Sequence, residues 1–445
     1  MKRAILNVLA CAASLALAFG ASAAEQPADC HVGAYQLADG GIVDIGSSSD
    51  GLRWRRFDGT TGKLTQAPNG WVNAVGWTGR ADDLKVSFGP CASGELDFGG
   101  VAGHRLALEA REATFISKGV PLTGRLILPP GREPVAIVVL LQGSERDSAR
   151  DFDPLQRLLP AAGVGAFVYD KRGTGASGGT YTQDFSVLAG DAVEALKTAR
   201  ALAGDRAGRI GFQGPSQGGW VAPIAATRVP VEFVIVSFGL AITVLEEDQE
   251  AVAFQMALKG YGPSEIAKAQ ELAAAAGVLF ETGFTRGVEP FEALRAKYRG
   301  EPWYKDVYGN FTHVILAMSA QELRSEGPNY RWGTPFRYDP RPTIAAVKAP
   351  QLWVLGGQDI DAPVGETTRR LERLIAQGRP ITLAVYPQAE HGITEFETAP
   401  DGSRLSTRYS EGYFRLMRDF ARDGRLCPPY GEARITWPSS VSAGC

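Results

Sequence analysis

A chain of 445 residues is long enough for more than one domain and a large core. Its 46 basic and 49 acidic residues leave a net charge of −3, which speaks against a nucleic acid or another polyanion as partner. Beyond the N-terminal segment, no uninterrupted apolar run reaches the ~20 residues that a membrane span needs.

The N-terminus reads as a processing segment. Lys2 and Arg3 precede an apolar run over residues 4–19, and Gly20-Ala21-Ser22-Ala23-Ala24 offers a small-residue cleavage site. Cleavage after Ala23 or Ala24 makes residues 1–24 a signal peptide. The mature chain is then soluble, free of the membrane, and periplasmic or secreted. A rival lipoprotein signal at Cys11 is disfavoured, because its apolar run would be short and hydrophobicity continues past the cysteine. Removing the signal leaves Cys30, Cys91, Cys427 and Cys445. An even number in an oxidising compartment favours disulfides, although buried free thiols are the alternative. Locality favours Cys30–Cys91 and Cys427–Cys445 among the three possible pairings.

Residues 25–110 read as a small all-β domain, a sandwich or barrel-like module. Short alternating runs such as 33–37 and 41–45 are broken by Asp39-Gly40, Asp50-Gly51 and Asp58-Gly59, dipeptides that supply the positive φ of tight hairpins. Trp54, Trp71 and Trp77 fit the core of a small sheet better than a binding face.

From residue 111 the texture changes. An edge hairpin (114–116 with 124–128) leads into continuous apolar runs at 135–141, 164–169, 209–212, 233–237, 352–355 and 381–386. Helical stretches at 154–162, 186–202, 218–226 and 366–375 separate them. Alternating strand and helix predicts α/β architecture, with a doubly wound, mostly parallel sheet buried on both faces. Ligands then sit at the carboxyl ends of the strands. Residues 240–349 interrupt the alternation with helical patterns and dense aromatics, among them Trp303, Tyr304, Phe311, Tyr330, Trp332 and Phe336. A structureless loop of that length is implausible, so the segment reads as an inserted helical cap. Its aromatics either line an apolar pocket or hold the cap to the body. The core therefore comprises residues 111–239 and 350–426. It closes with a helix over 405–422, and residues 427–445 form a tail.

The chemistry centres on Gly214-Pro215-Ser216-Gln217-Gly218. A short strand ends there and a helix begins, the setting of a nucleophile elbow. The glycines flanking the serine remove side chains that would strike the neighbouring strand and helix. Gly175-Ala176-Ser177-Gly178-Gly179 has the same spacing but leads into Thr180-Tyr181-Thr182 rather than a helix, so Ser216 is the candidate nucleophile. A serine hydroxyl needs a base, and the base needs an acid to orient it. Of His31, His104, His313 and His391, only His391 follows the last core strand. For the acid, G-x-x-D-x-x-x-P spacing favours Asp359 over Asp361, and the other aspartate would cap the next helix. Two N–H donors are needed for an oxyanion: Gln217 directly after the nucleophile, and Ser144 in the loop after the 135–141 strand. Asp170 and Arg172 serve to pin a loop near the site rather than to bind phosphate, since Walker spacing is missing. No His/Cys group has metal-ligand spacing, and neither metal nor cofactor is expected.

Together LLQGSERDSAR, YDKRGTGASGG, GPSQGG, LGGQDIDAP and AEHG resemble the α/β-hydrolase superfamily, most of all bacterial serine esterases and acyl-peptidase relatives with a helical cap. The resemblance covers about residues 113–422. Family members usually carry a histidine before the oxyanion glycine, where this chain has Gln142. The β-module resembles extra domains on some exported esterases. The expectation is an exported carboxylesterase-like serine hydrolase that acts on a small ester through an acyl-enzyme. The alternatives are a peptidase of small peptides, or a non-catalytic glycan- or cell-wall-binding protein on a hydrolase scaffold.

Overall fold

The computed structural model describes residues 28–68 and 70–438; the expected signal peptide, Cys11 and Cys445 lie outside them. Among the described residues no helix is long and apolar enough to cross a membrane.

The N-terminal part is built of strands. β1 (Gly33–Leu37), β2 (Ile42–Ser48), β3 (Gly51–Arg56), β4 (Thr61–Ala67) and β5 (Gly70–Val75) form an antiparallel meander that β6 (Ala81–Asp82) extends. β7 (Val86–Phe88), β8 (Glu95–Phe98) and β9 (Val101–Arg105) continue on the other side, where β9 pairs with β1. This single sheet curls until β7 approaches β5, so it is barrel-like rather than a two-layer sandwich. Tyr35, Val43, Ile45, Leu52 and Leu64 fill its interior. Trp54 is buried there and donates to Asn73 Oδ1 at 2.8 Å, while Trp71 packs edge-on against Phe88. Trp77 lies beneath the Arg53 guanidinium and against Tyr409, so it docks this sheet on the rest of the chain. A disulfide joins Cys30 to Cys91, the pairing that locality favours. His31 gathers beside the two sulfurs, but their mutual bond removes them as metal ligands.

The second sheet holds the core. β10 (Glu109–Ser117) and β11 (Val120–Leu128) form the edge hairpin. β12 (Val135–Leu140), β13 (Gly165–Tyr169), β14 (Ala207–Pro215), β15 (Phe233–Ser237), β16 (Gln351–Gly356) and β17 (Ile381–Tyr386) follow. Their spatial order is β10-β11-β13-β12-β14-β15-β16-β17, parallel from β13 onward. A separate hairpin, β18 (Thr394–Thr398) with β19 (Arg404–Tyr409), follows β17, and β20 (Arg434–Thr436) then closes the far edge antiparallel to β17.

Helices cover both faces of this sheet: α1 (Ala149–Phe152), α2 (Leu155–Ala161), α3 (Phe185–Ala203) and α4 (Gly218–Ala226) in its first half. Six more, α5 (Val244–Leu258), α6 (Pro263–Glu281), α7 (Val288–Tyr298), α8 (Thr312–Leu316), α9 (Ala320–Ser325) and α10 (Arg341–Ala346), lie between β15 and β16. The last are α11 (Gly365–Ala376) and α12 (Tyr413–Asp423). Alternate residues of one strand serve different layers. Ile137 and Val139 pack with α3 and α4, whereas Val138 and Leu140 pack with α2 and α12. Burial on both faces is why these strands read as unbroken apolar runs.

The inserted helices start with a capping box, Thr243 and Glu246 each bonding the other's backbone N–H. Their aromatics are mostly structural. Phe280, Phe284, Phe311, Tyr330 and Phe336 pack on one another, and Trp303 is 2% exposed against Tyr298.

Two expectations for the C-terminal part need correction. The stretch 405–422 is not one helix: residues up to Tyr409 are β19, and α12 starts at Tyr413 after Gly412 turns the chain at φ +80°. Pairing with β18 and docking on the first sheet override the local helical pattern there. The expected tail also contributes a strand, β20, to the main sheet.

The first sheet holds the hairpin directly. Trp77 N–H donates to Ser406 O and Tyr409 N–H to Gly59 O, at 2.8 and 2.9 Å. Gly59 has φ +95°, and a Cβ there would sit 2.4 Å from Tyr409 O, so the approach requires glycine. A buried Asp44 carboxylate also accepts from Arg157 of α2 at 2.5 Å, joining the two sheets' layers by charge.

Candidate active site

Ser216 follows β14 directly and precedes α4. Its φ of +48° is a left-handed conformation rare for a side-chain-bearing residue, the strain expected of an elbow. The turn is pinned by Ser216 N–H donating to Ser237 O at 2.9 Å and by Gly219 N–H donating to Ser216 O at 2.8 Å. Gly214 is obligatory, because a Cβ would lie 2.2 Å from Gly218 O.

His391 sits in the loop between β17 and β18, and its Nε2 is 3.2 Å from Ser216 Oγ. Its Nδ1 is 2.9 Å from Asp359 Oδ2. Asp359 lies after β16 and is 1% exposed. Its other oxygen, Oδ1, accepts from the N–H groups of Asp361 and Ala362 at 3.0 and 2.7 Å. Those bonds fix the carboxylate, which in turn holds the Nδ1 proton and leaves the Nε2 lone pair toward Ser216. Asp361 is exposed and contributes its backbone and its charge. It does not cap the next helix: the cap position of α11 is Val364, with no side-chain bond.

The histidine loop is braced from two sides. Phe238 packs edge-on to the imidazole at 4.8 Å, and Thr394 Oγ1 donates to His391 O at 3.1 Å. Arg404 of β19 donates to Gln358 O at 2.5 Å and pairs with Glu390 at 3.4 Å, linking the acid and base loops.

Burial pulls the imidazole pKa down, but the Asp359 carboxylate, aided by Asp361 and Glu247, outweighs it and raises His391 to about 9. Glu247, on α5, is itself pushed up to about 8 by burial, and Asn310 bridges it to Asp361 O. Nothing in a helical run rich in Ala and Glu marks Glu247 as the acid whose charge bears on the site.

Gln217 is the residue before α4, and Ser144 lies in the exposed loop between β12 and α1. No acceptor among the described residues bonds either backbone N–H. Gln142, standing where the resembled family carries histidine, ties this loop down: its Oε1 accepts from Lys171 N–H and its Nε2 donates to Asp147 O, both at 3.0 Å. Burial lowers the Lys171 pKa to about 8.

The rival serine, Ser177, is used structurally. Its Oγ donates to Asp170 O at 2.6 Å and accepts from Thr123 N–H at 2.9 Å. Asp170 is fully buried and accepts from Ser148 Oγ, while Arg172 forks onto Asp191. The other histidines lie elsewhere, His31 stacked on Phe88 and His313 on Tyr308, with His104 in β9.

A cavity of about 320 Å³ is lined by Pro215 and Gly392, the chain neighbours of Ser216 and His391, though not by those two residues themselves. Leu141, Phe152, Leu155, Phe238, Tyr413 and Phe414 give it an apolar wall. Asp153 also borders it, its carboxyl pushed up to about 6 by burial.

No family profile matches the chain, and no curated protein matches it in sequence. Among solved structures, an esterase of Pyrococcus furiosus is similar at 18% identity, covering 64% of this chain and 84% of that one, with a TM-score of 0.40. An acylaminoacyl peptidase of Pyrococcus horikoshii is similar at 15% identity over 86% of this chain, with a TM-score of 0.42. This chain spans 55% of that peptidase. A proline iminopeptidase of Mycobacterium smegmatis shares 18% identity over 63% of this chain and 91% of its own, with a TM-score of 0.39.

Proposed function

We propose that this chain, with the sheet order and strand–serine–helix turn of α/β-hydrolases, is an exported serine hydrolase that cleaves small carboxylic esters. The observation that carries the reading is the line of contacts from Asp359 through His391 to Ser216, at 2.9 and 3.2 Å. Ser216 Oγ attacks the acyl carbon as His391 Nε2 takes its proton. The Ser216–acyl bond forms, and the alcohol leaves with that proton. His391 then activates a water that breaks the acyl-enzyme and restores the serine. Gln217 N–H and Ser144 N–H are the oxyanion donors in this reading. Both are backbone groups that meet no other acceptor among the described residues.

The size and apolar wall of the adjoining cavity favour one short apolar group, at the lower end of ordinary ligand pockets. The helices of 240–349 act as a cap in this reading, supported by contacts from Asn310 to Asp361 O and from Gln255 to Ile360 O beside the acid loop. Export rests on the composition of residues 1–24 and fits the Cys30–Cys91 disulfide.

A fluorophosphonate probe, which reacts only with an activated serine, should label the wild-type protein at Ser216, located by mass spectrometry of the labelled peptide. An unlabelled protein that also leaves p-nitrophenyl acetate and butyrate intact would sink the reading.

The base must be neutral to accept a proton. With His391 raised to about 9, kcat/KM for an uncharged ester should climb with pH along a limb centred near pH 9 and fall about tenfold per unit below it. Glu247→Gln removes a nearby negative charge that favours the imidazolium, so its limb should move to lower pH. A limb that stays put in this variant would remove Glu247 from the electrostatics of the site.

A further inference from the structure

The loop between β12 and α1 is gripped by distant side chains at two successive carbonyls. Lys171 Nζ donates to Gly143 O at 2.6 Å, and Tyr181 OH donates to Ser144 O at 2.7 Å. A trans peptide unit is planar, and its N–H points opposite its C=O. Holding these two carbonyls therefore fixes the directions of the N–H groups of Ser144 and Glu145. Neither N–H meets an acceptor among the described residues.

The grip extends into the inserted helical segment. Tyr181 OH accepts from Gln183 Nε2 at 3.0 Å, and Gln183 Oε1 accepts from Thr334 Oγ1 at 2.6 Å. Gln183 N–H and Thr182 Oγ1 both donate to Trp332 O, at 2.7 and 3.0 Å. The Arg146 guanidinium, from the loop itself, lies over the rings of Tyr181 and Trp332 at 4.3 and 4.8 Å. A continuous set of contacts thus runs from Trp332 and Thr334 through Gln183 and Tyr181 to the loop.

We propose that Lys171 and Tyr181 are positioning residues that aim the backbone donors of this loop at the oxygen of the reacting carbonyl, and that the inserted segment sets Tyr181 through Gln183. The inference rests on Ser216 being the nucleophile, as argued above. A backbone donor stabilises an oxyanion only within a narrow distance of where that oxygen will be. Ser144, Glu145, Arg146 and Asp147 are exposed and supply little packing to hold the donors there. The two side chains supply that constraint from outside. Freed of Tyr181, the Ser144 carbonyl can turn toward water, and the short segment that carries the Ser144 N–H loses one of its two anchors.

Tyr181→Phe removes only the hydroxyl. Misplacing catalytic groups by about 1 Å costs up to ~100-fold, so kcat for p-nitrophenyl acetate should fall roughly 10- to 100-fold, with KM within about twofold. The rate of Ser216 labelling by a fluorophosphonate should fall in parallel, because its phosphoryl oxygen needs the same donors. Lys171→Met should behave likewise, and Lys171→Arg should recover part of the loss. Gln183→Met, one step removed, should show the same split with a smaller loss. If Lys171→Met does not fold, Tyr181→Phe and Gln183→Met still decide the matter. Wild-type kcat and labelling in Tyr181→Phe, or a loss confined to KM, would overturn the proposal. Should Ser216→Ala prove inactive while Tyr181→Phe keeps wild-type kcat, only this inference falls. Full activity in Ser216→Ala would instead overturn the reading of the site.

Discussion

Ser216→Ala is expected to lower kcat for p-nitrophenyl esters by about 10⁴- to 10⁶-fold, as loss of a serine nucleophile does in serine hydrolases. KM and thermal unfolding should stay near the wild-type values. The exchange removes one hydroxyl whose acceptor or donor is the imidazole 3.2 Å away, and no buried packing depends on it. Alanine meets the same left-handed φ of +48° that serine already tolerates, so the elbow itself should persist. What remains is the backbone geometry without a nucleophile. The companion Ser177→Ala should keep full ester activity, since the Ser177 hydroxyl bonds Asp170 O and Thr123 N–H rather than any imidazole. Steady-state kinetics on purified variants checks both, and a Ser216→Ala enzyme within tenfold of wild type would reassign the nucleophile.

Asp359→Asn should cost nearly as much, about 10⁴-fold in kcat, while Asp361→Asn should change it by less than about threefold. The difference follows from hydrogen-bond direction. Asp359 Oδ1 already accepts from two N–H groups, so an asparagine at this position keeps its carbonyl oxygen there. Its NH₂ would then face His391 Nδ1. A donor facing Nδ1 forces the ring proton onto Nε2, which points a donor, not a lone pair, at Ser216 Oγ. Asp361 offers its side chain to solvent and its backbone to Asp359, so removing its charge leaves the tautomer intact. Comparing kcat across pH for the two variants separates tautomer from charge. Equal losses in both would mean that the acid has been misassigned.

The curled N-terminal sheet has a mechanical place in this arrangement. Its turns at Gly59 and Trp77 hold β19, whose Arg404 and Ser406 in turn bond Gln358 O, Glu390 and Thr394 around the acid and base loops. Nothing in the run 404–409 advertises this. Residues 405–422 carry a helical pattern, and only pairing with β18 and docking on a sheet more than three hundred positions earlier, as in Arg408 to Asp58 O, turn the first part into strand.

Features governed by short-range physics were legible in the chain alone. Apolar runs bounded by helical periodicity marked the strands of the buried sheet. The two glycines around Ser216 marked the elbow, because steric exclusion of Cβ acts between atoms a few residues apart. Spacing also singled out His391 and preferred Asp359 to Asp361, and these are the groups whose contacts line up with Ser216. How these groups meet is set by long-range packing, since Ser216 and His391 are 175 positions apart and their contact is made by sheet order, not by local preference. The same holds for Glu247, whose charge bears on the imidazole, and for Lys171 and Tyr181 gripping the loop carbonyls. A carboxyl, an ammonium or a phenol on a helix or loop has the same local signature whether it faces solvent or a catalytic group. Which it faces is fixed by packing between segments far apart in the chain.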